Sequence, residues 1–245
     1  MCALSSDIQV IKVIGLGGNF QLVNFLAFYI ARSVEEMKME VVDGGSYKIR
    51  HLDHELFTSL KNKTLATKER LLKEYSNLKI KAIPYYIGNA RSVNSLLPED
   101  VIKNGNILFC CVDNSASIRS VSIACAKLDD VVLIVSGIDG TDILVQIYLK
   151  VNGEEITPPI HIRNPFVANP KDQMPSEILR QGCVDEVRGD RPNLFSLMMA
   201  GSLSLCAFYS IMDHLNSGNI KKFDVVNVNF NIRQLKMRVE HLNSI

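Results

Sequence analysis

The 245-residue sequence has no tryptophan, no C-x-x-C pair and no long run of like charges. Without paired C-x-x-C spacings a four-cysteine zinc staple is excluded. The six cysteines, Cys2, Cys110, Cys111, Cys125, Cys183 and Cys206, read as the reduced thiols of a cytoplasmic protein that is too large to need disulfides. Basic and acidic residues nearly cancel, 27 against 26, so there is no broad positive field of the kind that holds nucleic acid. Residues 1–7 lack the basic region and cleavage site of a secretory signal. Long charge-free stretches are also scarce. One, Leu194 to Met212, runs for 19 residues and could span a bilayer by length, yet it carries Ser196, Ser202, Ser204, Ser210 and Gly201. It reads as a helix buried inside a folded domain, and no membrane partner is expected.

Hydrophobic residues make up 47% of the chain, enough for a substantial core, and their pattern alternates between two textures. Apolar β-branched runs at Ile8–Ile14, Met39–Asp43, Leu78–Ile83, Asn106–Val112, Val131–Ser136 and Ile143–Leu149 predict strands. Helices are predicted over Asn19–Ser33, Lys68–Tyr75, Pro98–Lys103 and Ser115–Leu128. Alternation of this kind describes an α/β fold, Rossmann-like, with a mostly parallel sheet covered by helices on both faces. Five of the eight prolines then fall between Pro158 and Pro175, marking an irregular connection. A long helix, Leu194–Leu215, and a late strand, Phe223–Phe230, close the chain. The expected organisation is a single domain over 1–245, with a nucleotide-binding core over 1–150, an irregular crossover segment over 151–192, and a C-terminal helix and strand over 193–245.

Two constellations carry chemistry. Gly15-Leu16-Gly17-Gly18 joins the first strand to the first helix, where glycines let a phosphate approach the backbone at a helix N-terminus. Asp43 ends the second strand, 28 residues after Gly15, and a carboxylate there can accept from ribose hydroxyls. Asp113-Asn114 follows the fourth strand, at the sheet edge where ligands bind in such folds; Asp113 can hold magnesium on a triphosphate, and either residue can cap the next helix.

The blocks VIGLGGNFQLVNFLA, VVDGGSYKIRHLDHELF, TKERLLKEY, CCVDNSASIRSVSIACAK and VVLIVSGIDG, in this order, resemble the ThiF/MoeB/ubiquitin-activating-enzyme superfamily. The later QGCVDEVRGDRPNLFSLMMAGSLSLCAFY is similar to the crossover segment and buried helix of short ThiF-type proteins. VDNSASIR is the most specific block, because dehydrogenases lack it. The resemblance implies an ATP- and magnesium-dependent adenylyltransferase, usually a homodimer, that activates the C-terminal carboxylate of a ubiquitin-like or sulfur-carrier protein. It implies that Gly15, Gly17 and Gly18 wrap the phosphates, Asp43 holds the ribose, Lys68 neutralises the triphosphate, Asp113 binds magnesium and Asn114 lies beside the nucleotide. It also implies that Cys183, on the crossover segment, is a candidate for thioester formation, although Asp185 and Glu186 beside it oppose a reactive thiolate.

The sequence departs from the superfamily at three places. Phe20 stands near the end of the glycine loop where a small residue is usual, and no arginine precedes the loop. His51 and His54 replace the usual asparagine and arginine, leaving Arg50 as the nearby cation. An alternative is therefore a catalytically impaired ThiF-like protein acting as a dimeric scaffold or partner-binding module. A nicotinamide-dependent oxidoreductase would share the loop and Asp43 but leaves VDNSASIR unexplained. His161 and His214 have no companion at metal-ligand spacing. Cys110, Cys111, Cys125 and Cys206 are expected to fill the core.

Overall fold

In the computed structural model of the chain, the described residues are 10–17, 20–33, 37–47, 61–88, 93–139, 141–169 and 194–242. The strands are β1 (Val10–Ile14), β2 (Lys38–Val42), β3 (Ile80–Ile83), β4 (Tyr86–Ile87), β5 (Ser95–Leu96), β6 (Asn106–Cys110), β7 (Val131–Asp139), β8 (Asp142–Val151), β9 (Glu154–Glu155), β10 (Val225–Asn231) and β11 (Lys236–His241). The helices are α1 (Phe20–Arg32), α2 (Lys63–Glu74), α3 (Pro98–Val101), α4 (Ser115–Ala126), α5 (Ile160–Arg163), α6 (Pro165–Ala168) and α7 (Leu194–Asn216).

One sheet carries the structure, in the order β11-β10-β8-β7-β6-β1-β2-β3, with β9 paired to β8. From β3 to β7 every neighbouring pair is parallel. Beyond β7 the sheet turns antiparallel, through β8, β10 and β11. The α/β architecture expected from the sequence is thus present, and an antiparallel extension adjoins it. The Val131–Ser136 and Ile143–Leu149 runs form a long hairpin, because only residues 140–141 separate the two strands and no helix can cross between them. The late strand is also one arm of a hairpin, with β11 as a partner that its Lys, Arg and Glu content conceals.

Side chains alternate across the parallel strands and build a core on each face of the sheet. Ile11, Val13, Ile107, Phe109, Val132 and Ile134 meet Leu22 and Leu26 of α1, Leu71 of α2 and Phe208 and Ile211 of α7. Ile14, Leu108, Cys110 and Leu133 meet Val121 and Cys125 of α4, Ile160 of α5 and Val167 of α6 on the other side. Lys12 is the exception inside β1; it lies in register with Glu40 of β2 and bonds it at 2.5 Å, so the buried charge is paired.

Helix α7 is long and apolar enough to cross a membrane, but it packs against β7, β8 and α1. Its outer side leaves Phe195, Tyr209 and Cys206 exposed, so Cys206 does not fill the core as expected: the helix is buried on one side only. The stretch expected to be irregular contains β9, α5 and α6, with Pro159 as the N-cap of α5 and Pro165 in the first turn of α6. Proline fits there because the first helical turn needs no backbone donor. Arg163 ties this stretch to the sheet by donating to Pro158 O at 3.2 Å, Ile147 O at 2.7 Å and Asn227 Oδ1 at 2.5 Å.

Candidate active site

Strand order places the site. From β1 the chain proceeds outward to β2 and β3, whereas β6 and β7 lie on the other side of β1, so the direction of winding reverses between β1 and β6. The carboxyl ends of these two strands open a crevice, the usual ligand position in doubly wound sheets. Gly15 and Cys111 occupy its two lips, and Cys111 N donates to Ile14 O at 2.7 Å.

Gly15 has φ +85°, and a Cβ there would lie 2.8 Å from Val112 Cγ1 and 2.9 Å from the carbonyl carbon and oxygen of Cys111. Only glycine meets both demands. Gly17 differs: among the described residues the neighbour a Cβ there would meet within 4 Å is Lys63 Nζ, at 3.8 Å. Gly17 thus presents backbone without a side chain three residues before α1 begins, and the N-terminus of a helix is a setting suited to phosphate. Gly18 lies outside the described residues.

Asp43 follows β2 and locks this loop. Its Oδ2 accepts from Leu16 N and its Oδ1 from Gly45 N, both at 2.7 Å. Asn62 reinforces the corner, donating to Asp43 O at 3.2 Å and Gly45 O at 3.1 Å, while its own Oδ1 accepts from Thr64 N at 2.9 Å and starts α2. Each carboxylate oxygen keeps a further lone pair, so Asp43 can still take hydroxyl donors. The cap explains why α2 begins five residues before the predicted Lys68: the Asn62 side chain, rather than an apolar stripe, sets the start.

Lys63, which the sequence reading passed over, is only 7% exposed. Its ammonium lies 5.7 Å from the Tyr47 ring centroid and its Cε is 3.8 Å from where a Gly45 Cβ would stand. Lys68 is half-exposed on α2, a turn and a half further along, and is not within 4 Å of the Gly17 Cβ position. Asn62 followed by lysine was the available signal for Lys63, since a cap fixes where the first helical side chain points.

At the other lip, Asp113 is exposed and Asn114 caps α4, its Oδ1 accepting from Ser117 N at 2.9 Å. Among the described residues no group of three or more His, Cys, Asp or Glu could hold a metal ion. The residues present suit a magnesium ion that is mostly held by phosphate and water and touched by one carboxylate, which Asp113 can supply. Arg50, His51, His54 and Cys183 lie outside the described residues, as does the Phe20 side chain.

Burial disfavours the thiolate form of the cysteines at the end of β6 and of Cys125 on α4. Burial pushes Cys110 up to about 12 and Cys111 up to about 11, and Cys125 is also raised by burial. His161 Nδ1 pairs with Ser122 Oγ at 2.9 Å on the far side of α4, and burial holds the imidazole below its ordinary value.

No family model and no curated protein matches the sequence. Solved structures do match. PaaA superposes with a TM-score of 0.60 at 14% identity, covering 98% of this chain and 66% of that one. MccB of E. coli with ATP gives 0.62 at 15% identity over 98% and 65%, and MccB with AMPCPP and MccA gives 0.63 at 14% over 98% and 66%. The chain thus spans just under two thirds of the length of these relatives in structure, and it has the fold of the ThiF/MoeB/E1-like superfamily to which MccB and PaaA belong.

Proposed function

We propose that the chain binds ATP with magnesium in the crevice between β1 and β6 and adenylates the C-terminal carboxylate of a peptide or small protein, a ubiquitin-like or sulfur-carrier protein being the expected substrate. The observation that carries this reading is the glycine loop anchored to Asp43 at the reversal of strand order. Structural neighbours solved with ATP, with AMPCPP and with MccA support it. In the reaction a carboxylate oxygen bonds to the α-phosphorus while the bond to the β-phosphate oxygen breaks, and pyrophosphate leaves. No proton must move in that step, so the protein contributes position and charge. Backbone amides of the glycine loop and the α1 N-terminus hold the phosphates, Asp43 takes the ribose, and Asp113 holds magnesium against the triphosphate. Lys68, Arg50 and Asn114 remain candidates around the phosphates, and Cys183 for a later thioester.

The test is calorimetric titration with magnesium-ATP of the wild type beside Asp113→Ala, followed by ATP–pyrophosphate exchange with candidate carrier peptides. Saturable binding that weakens at least tenfold in Asp113→Ala supports the reading. A wild type that does not bind at millimolar ATP overturns it.

A second reading, an impaired member that serves as a dimeric scaffold, is favoured by the apolar outer surface of two packed helices. Phe25, Phe28 and Tyr29 of α1 and Phe195 and Tyr209 of α7 are all exposed. Sedimentation of the chain would find a dimer that nucleotide does not affect.

A further inference from the structure

We propose that Ser122 and His161 form an acid-released latch that holds the α5–α6 pair against α4. Ser122 of α4 is fully buried, and two groups of His161 converge on its hydroxyl oxygen. The His161 backbone N–H donates to Ser122 Oγ at 3.2 Å, and the ring nitrogen Nδ1 lies 2.9 Å from the same atom. Among the described residues the Ser122 proton has no other acceptor, whereas Ser202 and Ser204 of α7 donate to the carbonyl four residues back. The hydroxyl therefore accepts from the amide and donates to Nδ1, which leaves the ring hydrogen on Nε2. The helix so gripped is the one whose N-terminus carries Asp113 and Asn114, about two turns before Ser122.

Protonation of the ring reverses this bond. Nδ1 then carries a hydrogen, Ser122 Oγ faces two donors, and the buried hydroxyl proton loses its acceptor. A second tether starts three residues earlier on the same face of α4: Arg119 Nε donates to Ala168 O, at the end of α6, at 3.2 Å. Its guanidinium repels an imidazolium, so the neighbour of the latch also opposes the cation. Around α5, α4 presents Arg119 and the buried, neutral Cys125, and α6 has no titratable side chain. β9 presents Glu155, which favours the cation while accepting from the Tyr148 hydroxyl of β8 at 3.1 Å; Lys150 of β8 turns to Ala126 O at 3.0 Å. Burial and Arg119 prevail, holding the imidazole below its ordinary 6.5. The latch is therefore closed above that value and is lost as pH falls from there through the folded value. Arg163, two residues on and on the other side of α5, keeps its bonds to Pro158 O, Ile147 O and the Asn227 side chain. Acid thus frees the α4 side of α5 while the sheet side stays fastened.

The test is nuclear magnetic resonance on the full chain, wild type beside Ser122→Ala and His161→Gln. Ring nitrogen shifts of wild type at neutral pH should show the Nε2–H tautomer of His161. Between about pH 7.5 and pH 5, protection of the His161 amide against hydrogen exchange, corrected for intrinsic rates, should fall about threefold or more. The Leu149 amide, which donates to the buried Thr157 Oγ1 at 2.8 Å, should keep its protection over the same range. In His161→Gln the amide of residue 161 should not respond to acid, because the new side chain takes up no proton there. Ser122→Ala should lack the protection at both ends of the range. An Nδ1–H tautomer in neutral wild type overturns the inference, and that measurement stands even where Ser122→Ala does not fold. So does His161 protection that acid leaves unchanged, or that falls equally in wild type and His161→Gln.

Discussion

Asp43 Oδ2 accepts a hydrogen bond from the Leu16 backbone amide at 2.7 Å, joining the end of β2 to the loop that follows β1. With Gly45 N on the other oxygen, the carboxylate acts first as the fastener of the glycine loop, and any ribose contact is added to that duty. Asp43→Ala removes an ionised acceptor from two backbone donors, each bond of this kind contributing about 1.5–3 kcal/mol. The expected outcome is a loss of about 3–6 kcal/mol in urea unfolding, with hydrogen exchange accelerated at Leu16 and Gly45 before other amides. Asp43→Asn keeps one acceptor oxygen and should lose less than half as much. Equal effects for the two would mean that the bonds do not hold the loop.

The two neighbouring glycines separate shape from binding. Gly15→Ala places a methyl group 2.8–2.9 Å from Val112 and the Cys111 carbonyl in a backbone conformation with φ +85°. Left-handed strain alone costs about 1–2 kcal/mol, and the steric overlap adds to it. Among the described residues Gly17→Ala meets a lysine tip at 3.8 Å, and it should fold within about 1 kcal/mol of wild type. It should nonetheless weaken ATP binding, since its methyl group fills the space a phosphate needs. Thermal melts and nucleotide titrations of the pair check both halves; a Gly17→Ala protein that binds ATP as well as wild type would remove Gly17 from the phosphate site.

Much of this was legible in the sequence, and for identifiable reasons. β1 and β6 are near-continuous apolar runs because both faces of the parallel sheet are covered, so Val10–Ile14 and Asn106–Cys110 announce themselves. Gly15 and Asp43 could be picked out because a tight turn and a strand-end carboxylate need those residue types. Lys63 was harder to see: the Asn62 cap marks where its helix starts, but its place beside Tyr47, sixteen residues earlier, and Gly17, 46 residues earlier, is a tertiary meeting that the local pattern does not encode. β11 was hidden by its charges, which suit the outer edge of a sheet. Cys206 sits in the charge-free stretch Leu194–Met212 of a helix whose outer side faces away from the sheet, and composition does not say which side that is.

The crevice thiols give the stability a pH dependence of definite sign. Burial raises Cys110 from an ordinary 9.0 to about 12 and Cys111 to about 11 in the folded chain. Their contribution is fully present below pH 9 and falls as pH rises from there toward the folded values, because the unfolded chain releases protons that the folded one retains. Each such thiol steepens the decline by up to about 1.4 kcal/mol per pH unit within that window. Urea midpoints for wild type and Cys110→Val should therefore run parallel below pH 9 and converge above it. Parallel lines throughout would show that other groups set the alkaline limit.

Gln21, on the first turn of α1, offers the opposite case of a side chain whose replacement should help. Its Oε1 is buried with no hydrogen-bond donor among the described residues. A buried acceptor left unsatisfied carries its full desolvation cost, about 1–3 kcal/mol, whereas an apolar group of similar size carries none. Leucine fits the helix equally well and places its branch where the amide now stands. Gln21→Leu should accordingly raise the melting temperature by about 2–4 °C for each kcal/mol recovered in a chain of this length. If magnesium-ATP stabilises wild type but Gln21→Leu melts lower than wild type only when nucleotide is present, the amide serves the ligand. If the variant melts lower in both conditions, the acceptor is satisfied in solution and the assignment of an unpaired buried oxygen fails.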